Sequence, residues 1–198
     1  MAPQVSRVVW QARCMSDDLP TVVVVSGRPG SGKTTLARSI GDRLHLPVVS
    51  RDVIKTGMHA TSDIDQPPGT RRFSQASYQA TYDVVRLLLG KGVSLIVEAA
   101  FHAEFADAPL RALAAHSHVV HLRTHAATDV SVDRYIRRHL SGVRHVAHGD
   151  DEFVERATSH TMDWSIYELD LSVRSLDIDT NHGLAPDFDQ ICDFICER

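Results

Sequence analysis

The chain has 198 residues, 43% of them hydrophobic and 23% charged, with a formal net charge of −4. That suits one domain with a sizeable core and an ordinary globular composition. The acidic balance supplies no overall field to hold a polyanion, and no apolar run approaches the roughly 20 residues that a membrane-crossing helix needs.

The opening stretch, MAPQVSRVVWQARCMSDDLP, has neither the apolar segment nor the cleavage site of a secretory leader. Residues 1–20 are read as a weakly ordered extension, ahead of a domain over 21–198. Cys14, Cys192 and Cys196 are odd in number and form no framework, which fits thiols in a reducing cytoplasm.

TVVVVS (21–26) is a continuous β-branched run and predicts a buried parallel strand. A helix over 33–45 and a second strand over 47–50 follow. A short helix and a polar loop lead to a helix over 73–90, which Gly90 and Gly92 end. VSLIVEAA (93–100) is the third strand, 104–115 a helix, and HVVHLRT (118–124) the fourth strand. Residues 127–140 form a helix with Thr128 or Asp129 as its cap. RSLDIDT (174–180) is the fifth strand and 187–197 the last helix. Strands alternating with helices predict a doubly wound α/β fold, with ligands at the carboxyl ends of its strands. Two turn-rich zones, 59–72 and 141–152, interrupt the pattern.

Between the first strand and the first helix stands Gly27-Arg28-Pro29-Gly30-Ser31-Gly32-Lys33-Thr34, a full match to G-x-x-x-x-G-K-S/T. Glycines let backbone N–H groups curl around phosphates, and the following helix adds positive charge at its N-terminus. Lys33 is expected at the β- and γ-phosphates, and the Thr34 hydroxyl on Mg²⁺. Thr35 is a neighbouring candidate.

The loop does not say where the γ-phosphate goes. A switch GTPase would carry a guanine-reading N/T-K-x-D motif, and DTNHG (179–183) lacks it. The second strand instead leads into VVSRDVIK, which puts Asp52 on the edge of the sheet that carries the phosphate loop. A carboxylate there would take a proton from an attacking hydroxyl. The alternative is that Ser50 or Asp52 only caps the next helix.

With the phosphate loop, VVSRDVIKTGMH, VSLIVEAAFH and a late arginine-rich helix, residues 20–197 resemble the AAA_33-type small P-loop kinases. These are kin of the polynucleotide 5′-kinase, zeta toxin and chloramphenicol phosphotransferase group. The resemblance implies a five-stranded parallel sheet, ATP and Mg²⁺ as cofactors, and an arginine-bearing lid over about 134–152. The polynucleotide-kinase pattern is S-x-D-x-x-R. Ser50 and Asp52 match it, but Lys55 stands at the arginine position. A lysine holds phosphate only as a point charge. That departure argues against a nucleic-acid or phosphorylated acceptor and favours a small-molecule hydroxyl.

The resemblance also assigns roles to the rest of the site. Arg134 and Arg138, one helical turn apart, are the leading lid arginines, with Arg137 and Arg144 nearby; the alternative is a solvated basic face. Thr180 and Asn181 are candidates to contact the nucleotide base. Glu98, which closes the third strand, either holds Mg²⁺ through water, as Asp52 also would, or bonds the acceptor. Lys55, Arg71, Arg72, Phe73, Tyr78, Tyr82, Phe101 and His102 are candidate acceptor contacts, with core packing the alternative for the tyrosines. His139, His145, His148, Asp150 and Asp151 match no zinc spacing. The reading is a kinase acting on a nucleoside, sugar or antibiotic hydroxyl. A polynucleotide 5′-kinase and a toxin-like nucleotide-binding regulator are the alternatives.

Overall fold

The computed structural model describes residues 19–60, 71–141, 150–159 and 161–197. Five strands form one sheet: β1 (Thr21–Ser26), β2 (Val48–Ser50), β3 (Leu95–Glu98), β4 (His118–His125) and β5 (Arg174–Asp179). Their spatial order is β2-β3-β1-β4-β5, and every pairing is parallel. The helices are α1 (Lys33–Leu44), α2 (Arg51–Ala60), α3 (Arg71–Leu89), α4 (Ala103–Ala112), α5 (Thr128–Leu140), α6 (Asp150–Thr158) and α7 (Phe188–Cys196). Short 3₁₀ turns cover Leu113–Ala115 and Trp164–Tyr167.

The four valines of β1 explain why a parallel strand reads as an unbroken apolar run. Val22 and Val24 join a core with Tyr78, Tyr82, Val85 and Leu110 on one side of the sheet. Val23 and Val25 join Leu36, Ile40, Leu122 and Ile191 on the other. Both faces are covered, so all four valines are withdrawn from water. Each core aliphatic side chain buried this way contributes about 1.5–3 kcal/mol.

α7 starts from a capping box, in which Asp187 and Gln190 satisfy each other's backbone N–H groups. α5 begins differently from expectation. Its cap position is Ala127, whose N–H donates to Asn181 Oδ1 at 2.8 Å. Thr128 accepts from Arg28 instead, and Asp129 Oδ1 accepts from Val130 N–H. α6 is also a departure, because its first residues belong to a zone read as irregular. Cys192 is a buried free thiol, whereas Cys196 is disulfide-bonded, which departs from its reading as a thiol; Cys14 lies outside the described residues. Among the described residues, no helix is long and apolar enough to cross a membrane.

Candidate active site

The phosphate loop leaves the carboxyl end of β1, the central strand, where the sheet's connections run to opposite sides. Gly27, Gly30 and Gly32 have φ of 140°, 86° and 87°. A Cβ on Gly27 would overlap the Thr124 carbonyl, and one on Gly30 would overlap the Ser131 carbonyl. The loop is thus clamped between β4 and α5. Thr124 Oγ1 donates to the Ser26 carbonyl at 3.0 Å and lies 2.7 Å from Ser31 Oγ. Thr180 Oγ1 donates to the Ser31 carbonyl at 3.1 Å. Lys33 lies largely buried, its Nζ donating to the Arg28 carbonyl at 2.8 Å. The Arg28 guanidinium sits 5.0 Å from the Trp164 ring centre, and Thr35 faces outward.

Parallel register sets Glu98 opposite both Val25 and Ser50. Ser50 Oγ donates to Glu98 Oε1 at 2.5 Å, and Thr34 Oγ1 donates to Oε2 at 3.3 Å. Burial raises the Glu98 pKa; the Ser50 hydrogen bond and Lys33 oppose that, and the Asp52 charge adds to it. A hydroxyl and a carboxylate destabilised by burial are hard oxygen donors side by side, so these residues fit Mg²⁺. Asp52 stands within the first turn of α2, rather than before it, with Arg51 Nη1 3.9 Å from its Oδ1.

These groups open on one cavity of about 400 Å³, a size that suits a small molecule. Its walls include Pro29, Gly30, Lys33, Thr34, Asp52, Lys55, Tyr78, Glu98 and Arg138 among the expected residues. His102, another expected contact, lines it too, and so do Arg51, Tyr135, Phe153, Arg156 and Tyr167, which were not expected. Arg51 is held by a 3.1 Å bond from Nε to Ser77 Oγ, with its guanidinium 4.0 Å over the Tyr78 ring. The Tyr78 hydroxyl accepts the His102 backbone N–H at 2.9 Å. The His102 ring meets Tyr167 edge-on at 5.1 Å, and Tyr135 packs on Phe153 at 4.1 Å. Aromatic side chains therefore share this cavity with the phosphate loop and Asp52.

Several expected contacts lie elsewhere. Phe101 is fully buried in the core, and Tyr82, one turn from Tyr78, spends its hydroxyl on the Phe105 carbonyl at 3.0 Å. Neither lines the cavity, because both pack into the core cluster that includes Val22, Val24 and Val97. Arg72 is exposed and outside the wall. The arginine pair on α5 divides. Arg138 lines the cavity, while Arg134 donates to Thr180 Oγ1 and to the Thr180 and Asn181 carbonyls at 3.2, 2.7 and 3.2 Å. The Asn181 side chain itself binds the Ala127 N–H and Asp179. Among the described residues no cluster of three or more His, Cys, Asp or Glu side chains suits a metal. Arg144, His145 and His148 lie outside the described residues, as does most of the 59–72 loop.

Sequence reading missed Arg51 and Arg156. Arg51 was visible beside Asp52, but only its buried position over Tyr78 marks it. Nothing in the primary sequence ties α6 to this cleft.

Fold and site together define a P-loop nucleotide-binding protein of the small-kinase class. The chain belongs to the AAA_33 family, whose AAA-domain model matches residues 22–169. It is similar to a proposed kinase of Chloroflexus aurantiacus, with 27% identity and a TM-score of 0.74 over 90% of this chain and 97% of that one. The APS kinase of Mycobacterium tuberculosis, solved with AMPPNP and APS, shares the fold at 15% identity and a TM-score of 0.60, covering 91% and 100% of the two chains. An uncharacterized protein of Mycobacterium tuberculosis is 34% identical over 126 residues, which is 59% of this chain. That match spans only 25% of the relative's own length.

Proposed function

We propose that the protein is an ATP- and Mg²⁺-dependent kinase that moves the γ-phosphoryl group onto a hydroxyl of a small molecule. One observation carries this reading: Asp52 lines the same cleft as Lys33, Thr34 and Glu98, and that cleft continues into an aromatic chamber. A nucleotide-binding protein that uses only water has no need of such a chamber.

Thr34 and Glu98 would hold Mg²⁺, which when bound neutralises charge on the phosphate oxygens. Lys33 would exchange its bond to the Arg28 carbonyl for phosphate oxygens, and Arg138 would stabilise the charge spread over the transferring group. Asp52 accepts the acceptor's hydroxyl proton as the new O–P bond forms. The bond between the γ-phosphorus and the bridging oxygen breaks, and ADP leaves with the electron pair. Arg51 Nη1 stands 3.9 Å from Asp52 Oδ1, beside the group that would take the proton.

The test is transfer from γ-labelled ATP with Mg²⁺ to a panel of nucleosides, sugars, hydroxylated antibiotics and 5′-hydroxyl oligonucleotides. Asp52→Asn is expected to bind ATP normally and to lose about 10²–10⁴-fold in transfer. Unchanged transfer by that variant removes Asp52 as the base. Label on oligonucleotides alone would identify an end-healing kinase, and binding without transfer a regulator.

A further inference from the structure

We propose that Arg28 is a positioning residue that couples nucleotide binding to the acceptor side of the cleft, through the contact of its guanidinium with the Trp164 ring. This rests on the kinase reading and adds a link between its two substrates.

Neither Arg28 nor Trp164 lines the cavity, although the residues beside them do. From the phosphate loop, Pro29, Gly30 and Lys33 face it; from the segment around Trp164, Met162, Ile166 and Tyr167 do. The two side chains therefore meet behind the wall, where the loop that takes the triphosphate touches the turn that shapes the chamber. The guanidinium is 5.0 Å from the ring centre, inside the ~6 Å range in which a cation is drawn to an aromatic face. Arg28 Nη1 also donates to Thr128 Oγ1 at 2.8 Å. That bond anchors the guanidinium to the first turn of α5, the helix that brings Arg138 to the cavity.

The turn Trp164–Tyr167 has a shape set by its own bonds. Asp163 Oδ1 accepts from the Ser165 N–H at 3.0 Å and from Ser165 Oγ at 2.6 Å, and the Glu168 N–H donates to the Ser165 carbonyl at 2.9 Å. A displacement of Trp164 therefore carries Ile166 and Tyr167 with it. Tyr167 meets the His102 ring edge-on at 5.1 Å, and Trp164 meets Phe153 edge-on at 6.1 Å, so the contact extends to the start of α4 and to α6. The main chain of Arg28 supplies the other end of the link. Lys33 Nζ donates to its carbonyl at 2.8 Å, and the proposed reaction exchanges that bond for phosphate oxygens. One residue thus carries at its carbonyl the bond that phosphate replaces, and at its side chain the contact that holds the turn. Because the contact holds loop and turn in place before either substrate arrives, its loss weakens the binding of both. Linkage makes the effect reciprocal.

Three measurements test this, and the first two need no phosphoryl transfer. The chain has two tryptophans, Trp10 and Trp164, so Trp10→Phe leaves Trp164 as the sole reporter. Titration of that protein with Mg²⁺ and AMPPNP is expected to change Trp164 emission along the binding curve that calorimetry gives. Constant emission while calorimetry reports saturation overturns the proposal. The second measurement is the Kd for Mg²⁺–AMPPNP in Arg28→Met, Trp164→Leu and the double variant. Each single substitution is expected to weaken binding about fivefold, and the double variant no further than Arg28→Met alone, since both remove one contact. Trp164→Phe keeps a ring face and should recover most of the loss. A wild-type Kd in Trp164→Leu, or losses that multiply in the double variant, overturns the coupling, because a tryptophan that only packs gives those results. If Arg28→Met fails to fold or to bind, Trp164→Leu against Trp164→Phe decides alone. The third uses an acceptor that the transfer panel yields: Trp164→Leu is expected to raise its KM about fivefold with kcat little changed, and an unchanged KM overturns the link to the acceptor side. Failure of these tests leaves Asp52-dependent transfer, and with it the kinase reading, standing. Absence of transfer leaves the emission and Kd results to decide the coupling.

Discussion

Gly30 and Gly32 have nearly the same φ but different neighbours. A Cβ on Gly30 would meet the Ser131 backbone, whereas on Gly32 the nearest atom would be Thr180 Cγ2 at 3.6 Å. Gly30→Ala is therefore expected to cost about 2–4 kcal/mol, combining left-handed strain with a steric clash, and Gly32→Ala about 1–2 kcal/mol from strain alone. Urea denaturation of the two variants measures the difference. His121 is a second residue whose surroundings decide its behaviour. It lies buried in β4, 2.7 Å from Ser26 Oγ, and burial lowers its pKa to about 4. Its ordinary value is 6.5, so the unfolded chain binds the proton first as pH falls. Stability is full above pH 6.5 and declines towards pH 4, by about 3 kcal/mol across that window. His121→Gln keeps a hydrogen-bonding side chain that does not titrate, and should flatten that stretch of the stability–pH curve by this amount.

At the scale of elements, α5 presents two arginines one turn apart with different duties. Arg134 ties the helix to the segment after β5 through three hydrogen bonds, and Arg138 reaches the cleft. Arg134→Leu should lower stability by about 1–3 kcal/mol, because partly buried carbonyls lose a charged donor, and should raise the KM for ATP more than it changes kcat. Arg138→Leu should instead lower kcat by about 10³-fold with little effect on stability, the loss expected when a guanidinium that neutralises the transferring group is removed. Steady-state kinetics with the same acceptor separates the two. From sequence they are equivalent, since both lie on one helical face. β1 and α1 were legible almost to the residue, because a long β-branched run and a glycine boundary are local signals. β3 is shorter than the expected strand, Leu95–Glu98 against 93–100, and both of its ladders end at Glu98, opposite Ser50 and Val25. α6 went unread because its few apolar positions, such as Phe153 and Ala157, follow directly on a turn-rich segment.

For the molecule as a whole, the parallel order β2-β3-β1-β4-β5 brings Ser50, Glu98 and Thr34 together from three separate stretches of chain. The assembled site couples ligand binding to global stability. A nonhydrolysable Mg²⁺–ATP analogue at 100 times its Kd should stabilise the protein by about 2.7 kcal/mol, and Lys33→Ala should remove most of that gain, as read by thermal or urea unfolding with and without the analogue. Glu98→Gln should leave the fold intact and raise the Mg²⁺ concentration for half-maximal transfer by about tenfold, since a neutral amide replaces a carboxylate beside Thr34.

The sequence by itself determined the α/β class, the phosphate loop and the edge of the sheet on which Asp52 stands. Each depends on short-range facts: backbone freedom at glycine, the apolar period of a strand, and the direction in which a parallel strand delivers its last residue. Only the tertiary structure decided which side chains share the cleft. It put Phe101 and Tyr82 in the core, assigned Arg134 to the β5 connection, and gathered Arg51, Lys55 and Arg156 around one chamber. Those outcomes depend on strand order and on helix rotation about the sheet. Both are set by packing between residues far apart in the chain, which no local pattern encodes.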